Sequence, residues 1–415
     1  MMQRSGYAGG NMGRLVVFVG GFDPRGARHY HRLFSENAAR QGEVDGCTYS
    51  AGPREALDVG QGAGAHRHAR WAFHGPQGGG EYVFFDWSDQ VRAHWPRALW
   101  RVAAQACMTY ALAVTQWRVL RGLRRQVPYT LLSFTYPLLF GLLAVAAAAG
   151  GAFAGWRFAQ GLPELAQWLV PMVAAFAVLW GAAGLDKLLH VSWLLRIFNF
   201  ARISAAEDSE VLAARTQAMA EWVRHRVAQQ PGLEVVVLGF SVGSVQAVRL
   251  VDALRQPAAL VVCGGDGAAS ASDAPNAPVA VTLLTLGNCI PLFSLMPEAV
   301  KLRAALQNLA NDSQLYWADI SSPGDSVSFG MCDLMRLSLR DAAMPAEALH
   351  NPRRMCSPRF HKLFDPLAYR LMRRNKMRMH FQYLMASQKR GAYNFFAMLT
   401  APGAVRDFVE KYLVR

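Results

Sequence analysis

Residues 233–254 read LEVVVLGFSVGSVQAVRLVDAL, and the apolar period changes halfway along the stretch. Val235, Val236 and Val237 form a β-branched run of the kind that is buried on both faces of a sheet. The run ends at Gly239-Phe240-Ser241-Val242-Gly243, after which Val245, Val248, Leu250, Val251 and Leu254 recur at helical spacing. Strand, sharp turn and helix are therefore expected, with Ser241 at the tip. A serine there sits in strained backbone, and Gly239 and Gly243 let strand and helix approach closely. The first amides of the helix, Val242 among them, and the helix dipole then suit a developing oxyanion beside Ser241.

This stretch resembles the nucleophile elbow of the α/β-hydrolase superfamily, mostly serine esterases, lipases, thioesterases and amidases, in a membrane-anchored bacterial form. The resemblance implies an α/β fold with a mostly parallel sheet flanked by helices. It covers about 14–22, 81–89 and 209–415 and is strongest at the elbow. RLVVFVGGF at 14–22 reads as a buried strand and a glycine turn. In the superfamily such a loop supplies one oxyanion amide, a role that falls to Gly21 or Phe22 of Gly20-Gly21-Phe22; Val242 supplies the other. PVAVTLLTLGN (278–288) matches the strand after the elbow, which ends in a Leu-Gly turn near the active site.

The superfamily's chain order of serine, acid, histidine directs the search for partners. SQLYWADISSPGDSVSF (313–329) reads as one more strand and its C-terminal loop, and Asp325 in the Pro323-Gly324-Asp325 turn is the expected acid. Asp319 lies within the strand pattern, and Asp365 in FDPLAYR reads as a helix start. His350, His361 and His380 all follow Asp325. His380 is expected in a loop ahead of the terminal helix, where the superfamily carries its base. The implied chemistry is acyl transfer to water through Ser241, His380 and Asp325, with no metal or organic cofactor.

Composition sets the surroundings. The 415 residues carry 43 Lys+Arg against 29 Asp+Glu, a formal charge of +14, which suits an anionic partner. No nucleic-acid-binding module accompanies the charge, so nucleic acid is set aside. Cys47, Cys107, Cys263, Cys289, Cys332 and Cys356 are scattered and read as free thiols of a reducing compartment. The pairs His29/His31 and His66/His68 lack a further ligand at metal spacing and read as solvent-facing. GPQGGG (75–80) reads as a flexible turn and EYVFFDWSD (81–89) as a strand; MMQRSGYAGGNMGRL lacks the apolar core of a signal peptide.

Two uncharged segments interrupt the hydrolase pattern, at about 129–156 and 165–185. Each meets the length of roughly 20 apolar residues that crosses a bilayer. Trp156, Trp168 and Trp180 lie at or near their ends. The link carries only Arg157, whereas the flanks carry Arg118, Arg121, Arg124, Arg125, Lys187, Arg196 and Arg202. A multi-pass protein of the bacterial inner membrane is expected, with both termini and the soluble part in the cytoplasm. Two spans without an intramembrane charge offer no transport pathway.

The expected organisation is 1–126, an N-terminal part of the hydrolase-like domain with a basic helical region; 127–187, the hairpin; and 188–415, a juxtamembrane helix and the C-terminal catalytic part. Residues 188–203 are expected to lie along the membrane surface, and 209–230 to form a soluble amphipathic helix. The basic run Arg370, Arg373, Arg374, Lys376 and Arg378 is expected to face anionic lipid headgroups. A bilayer and a lipophilic ester are the expected partners. The other class that fits is a hydrolase-fold scaffold without activity.

Overall fold

The computed structural model describes residues 13–115, 128–206, 209–256, 278–339 and 353–414. The chain divides into two units, residues 1–92 with 204–415, and residues 93–203. The first unit is therefore assembled from halves that are distant in sequence, and the insertion takes in the helical region after residue 92 as well as the hairpin.

The first unit is an α/β sheet of nine described strands: β1 Arg14–Val19, β2 Ser50–Ala51, β3 Glu55–Val59, β4 His66–Gly75, β5 Gly78–Phe85, β6 Glu234–Phe240, β7 Val281–Leu286, β8 Tyr316–Ile320 and β9 Arg353–Cys356. Their order is β2-β4-β5-β1-β6-β7-β8-β9, with β3 alongside β4. β5, β1, β6, β7, β8 and β9 run parallel, with Arg14 opposite Glu234 and Val19 opposite Gly239 at the centre. β1, β6 and β7 are apolar and almost wholly buried, as strands covered on both faces must be.

The sheet is mixed, which corrects the expectation of a mostly parallel one. β2 and β3 both pair antiparallel with β4, and β4 with β5. The reason lies in the supposed flexible turn at 75–80. Gly75 pairs with Gly78 across Pro76-Gln77, and Gly79 and Gly80 are ladder residues opposite His74 and Phe73. A Cβ on Gly79 would meet Phe73 O at 2.4 Å, and one on Gly80 would meet Arg14 O at 2.2 Å. These glycines serve close strand approach.

Helices Gly26–Asp45, Glu210–Gln229, Gly243–Arg255 and Val300–Asn311 flank the sheet. Ser209 caps the second of these by accepting from Leu212 N. The short helices Phe395–Leu399 and Val405–Tyr412 close the unit. Arg14, buried at the start of β1, ion-pairs with Glu234 at 2.6 Å and donates to Leu399 O and Gly403 O, tying the C-terminal segment to the central strands.

The second unit contains two helices long and apolar enough to cross a membrane, Pro128–Ala159 and Glu164–Leu189. Their most apolar windows have mean hydropathy 2.0 and 1.9 and are 11% and 0% buried, so neither is the buried helix of a globular core. They meet through small residues. A Cβ on Gly155 would come within 2.9 Å of Pro171 Cα, and one on Gly151 within 3.2 Å of Val178 Cγ2.

The helix Val191–Ala206 departs from the expected position along a membrane surface. Val191, Leu194, Ile197, Phe198, Phe200 and Ala201 are buried. Asn199 accepts from Thr109 Oγ1 at 2.7 Å and donates to Val102 O, while Phe198 meets Phe134 with ring centroids 4.9 Å apart. Its apolar face thus packs on protein, in part through these contacts within the unit.

Candidate active site

The carboxyl ends of β1, β6, β7 and β8 converge, the position where parallel α/β sheets present ligands. At the end of β6, Ser241 adopts φ 57°, left-handed backbone that a non-glycine residue enters only when its surroundings enforce it. Its amide donates to Leu286 O at 3.0 Å. Both elbow glycines are required by contact: a Cβ on Gly239 would lie 2.6 Å from Ser244 Cα, and one on Gly243 2.3 Å from Val19 O and Gly20 O. The helix Gly243–Arg255 begins at once, with Val242 at its N-cap.

The loop after β1 closes on this turn. A Cβ on Gly21 would stand 3.1 Å from Ser241 Cβ and 3.5 Å from Oγ, so the Gly21 backbone lies directly against the serine side chain. Phe22 is buried and packs on Trp87, whose Nε1 donates to Gly20 O at 3.0 Å. Trp87 thereby fixes the Gly20-Gly21-Phe22 segment. The pattern of 81–89 gives no sign of this contact, because the partner of Trp87 lies 67 positions away.

Asp325 and His380 are brought together. His380 Nδ1 lies 2.8 Å from Asp325 Oδ2, and both side chains are buried. Asp325 Oδ1 accepts from Val327 N at 3.2 Å. A carboxylate only accepts, so Nδ1 is the nitrogen that donates to it, and in the neutral tautomer this contact selects, Nε2 presents a lone pair. Nε2 is buried without a hydrogen-bond partner among the described residues. The imidazole packs on Phe240, the residue before Ser241, with ring centroids 5.0 Å apart. His380 stands on the short helix Lys376–Phe381, not in a loop, because Asn375 caps that helix by accepting from Arg378 N at 2.9 Å.

The Ser241 hydroxyl does not bond to His380. Its Oγ faces Cys289 Sγ at 3.7 Å. Cys289 follows the Leu-Gly turn of β7, and burial pushes its thiol up to about 12. Gly287 in that turn has φ 54°; a Cβ there would meet Tyr383 Cε2 at 2.6 Å and Asp325 Oδ2 at 3.2 Å. The Tyr383 hydroxyl accepts from Ser322 N at 2.8 Å, which anchors the loop carrying Asp325. Neither Cys289 nor Tyr383 stood out in the sequence, although the Leu-Gly turn pointed to the neighbourhood of the first.

The other candidates lie elsewhere or do other work. Asp319 is buried in β8, where Oδ1 accepts from Thr285 Oγ1 and Asn288 Nδ2, each at 2.8 Å, and Oδ2 from Ser321 Oγ. Asp365 is exposed at the start of helix Pro366–Arg374 and pairs with Lys389 at 2.6 Å. His361 is exposed and meets the Tyr369 ring. His350 lies outside the described residues.

The histidine pairs are not both solvent-facing as expected. His31 is half-buried, with Nε2 2.9 Å from Gly52 O, and His29 is half-buried with its ring edge on Tyr30 and Phe381. His68 is buried in β4, where Nδ1 accepts from Asp86 N at 2.9 Å and the ring stacks on Phe85. Burial holds its pKa down to about 3.

Comparison of the chain with protein-family models, with curated proteins and with solved structures finds no match.

Proposed function

We propose that this chain is a membrane-anchored serine hydrolase of α/β-hydrolase type that cleaves a lipophilic ester. The observation that carries the reading is the buried pair of His380 and Asp325, with Nε2 left open beside an elbow whose serine is held at positive φ. In the proposed reaction Ser241 Oγ rotates from Cys289 towards Nε2, gives up its proton and attacks the ester carbonyl. The amides of Val242 and of Gly21 or Phe22 hold the oxyanion, and the imidazolium returns the proton to the departing alcohol. Water, deprotonated by the same imidazole, then releases the acid and restores the Ser241 hydroxyl. Asp325 holds the imidazole in the required tautomer throughout.

The bilayer is the proposed setting, with both soluble segments on the cytoplasmic side. The two helices long and apolar enough to cross a membrane and the arginine-poor link between them support this reading. An inactive scaffold is the second reading. It is favoured by one observation: Ser241 Oγ bonds to a thiol and leaves the histidine alone. Such bonds are often loose without substrate and tighten when it binds.

The test is fluorophosphonate labelling of membranes that carry the protein, comparing wild type with Ser241→Ala and His380→Ala. Labelling that disappears in both variants supports the hydrolase. Folded wild type that takes no label, in membranes and in detergent alike, supports the scaffold.

A further inference from the structure

We infer that the helix Pro366–Arg374 is a docking surface for an anionic bilayer, and that it presents the edge of the candidate site nearest His380 to that surface. The inference rests on the reading that the chain resides in a membrane, and is independent of whether Ser241 is active.

The helix has two unlike faces. Ala368, Tyr369 and Met372 turn inward, with Met372 in the core and the other two packed against it. Leu367, Arg370, Leu371 and Arg374 fall at i, i+3, i+4 and i+7 and so share the outward face. Leu367 is 66% exposed and Leu371 55%, large values for leucines one turn apart on a nine-residue helix. Arg370, Arg373 and Arg374 are exposed around them.

A surface that only needed solubility would not pair two leucines with arginines on its solvent side. Apolar side chains flanked by long cationic ones match a headgroup boundary, where leucines enter the acyl region and guanidinium groups remain with phosphate. Charge complementarity selects the anionic lipid. The nearby carboxylate, Asp365, is already paired with Lys389, so the face is left positive.

The face is tied to the site by short paths. Asn375 ends this helix and caps the next, which carries His380 five residues on. A Cβ on Gly324, the residue before Asp325, would meet the Tyr369 hydroxyl and Met379 Cε at 3.1 Å each. The acid's loop therefore rests on the docking helix and on the base's helix together.

Hydrogen exchange by mass spectrometry tests the inference on the full chain in nanodiscs, of phosphatidylcholine alone or with about one-third phosphatidylglycerol. Amides of 367–374 are expected to exchange at least fivefold more slowly in the anionic discs. Leu367→Ser with Leu371→Ser, and separately Arg370→Gln with Arg374→Gln, should each abolish that difference while other segments exchange as in wild type. Ser241→Ala should retain it, which separates this result from the fate of the hydrolase reading. Equal exchange in both discs overturns the inference. Protection that follows protein concentration in detergent also overturns it, in favour of contact between copies. Loss in the leucine variant alone overturns the anionic selectivity.

Discussion

Cys289 Sγ stands 3.7 Å from Ser241 Oγ, so the residue beside the proposed nucleophile is a buried, neutral thiol. Reactivity of a thiol follows its thiolate fraction and its access, and both are suppressed here. Iodoacetamide at pH 8 should modify the exposed Cys107 of the folded chain in detergent and leave Cys289 untouched. Peptide mapping reads both sites at once; equal modification would contradict the buried thiol. The raised pKa also has a stability consequence. The neutral form is favoured by folding, so its contribution is present below the unfolded value near 9 and is lost as pH rises towards about 12.

Two buried aspartates stand near the site, and they should respond differently. Asp325→Asn should lower the rate of fluorophosphonate labelling on the order of a thousandfold, because the imidazole loses its tautomer and its counter-charge. Asp319→Asn should leave the rate per folded molecule within a few-fold and lower the melting temperature, since one carboxylate acceptor becomes an NH2 donor and Thr285, Asn288 and Ser321 can no longer all donate to the side chain. The reverse pattern would move the acid's role to Asp319.

Ser241→Gly should stabilise the fold by about 1 kcal/mol, because the backbone at φ 57° is relieved when Cβ is removed. Chemical denaturation in detergent measures it. An unchanged or lowered midpoint would mean that hydroxyl contacts outweigh the backbone strain.

Gly287→Ala should destabilise by about 2 kcal/mol or more, since the added Cβ meets Tyr383 as well as an unfavourable φ. A second variant tests whether the Tyr383 hydroxyl adds to the penalty. Tyr383→Phe in the Gly287→Ala background should leave most of the penalty, as the clash is with a ring carbon, Cε2, and not with the hydroxyl.

His68 predicts acid sensitivity with a defined sign. Its folded pKa of about 3 lies below the unfolded value near 6.5, so its contribution is full above 6.5 and is lost as pH falls towards 3. The loss is on the order of a few kcal/mol. His68→Asn keeps an acceptor for Asp86 N–H without the titration, and its melting temperature should fall less between pH 7 and pH 4 than that of wild type. Parallel melting curves would exclude His68 as a source of acid lability.

The parts of the fold that were legible in the sequence share a physical origin in local pattern. The β-branched run before Ser241 and the glycines on either side report burial and close approach directly, and the uncharged length of the two apolar helices reports segments long enough to cross a membrane. Asp325 stood apart from Asp319 because a Pro-Gly turn frees a side chain that a buried strand holds. What escaped was set by distant partners. The antiparallel edge was hidden by the histidines and arginines of 66–70, although Ala69, Trp71 and Phe73 alternate at the period of a strand. His68 is buried because Asp86 meets it 18 positions away, and Trp87 matters because Gly20 does. The leucines of 188–203 were equally ambiguous, since an apolar helical face does not say whether lipid or protein will cover it.

The pairing of β1 with β6, Arg14 opposite Glu234, has a consequence for biosynthesis. One edge of β1 is completed by a strand that emerges from the ribosome only after the whole insertion has been made. At ordinary elongation rates that interval is on the order of ten seconds. During it a nascent sheet ending in Leu15-Val16-Val17-Phe18-Val19 offers an unsatisfied apolar edge to any neighbouring strand. The first ninety or so residues thus keep one strand edge open until the elbow strand arrives.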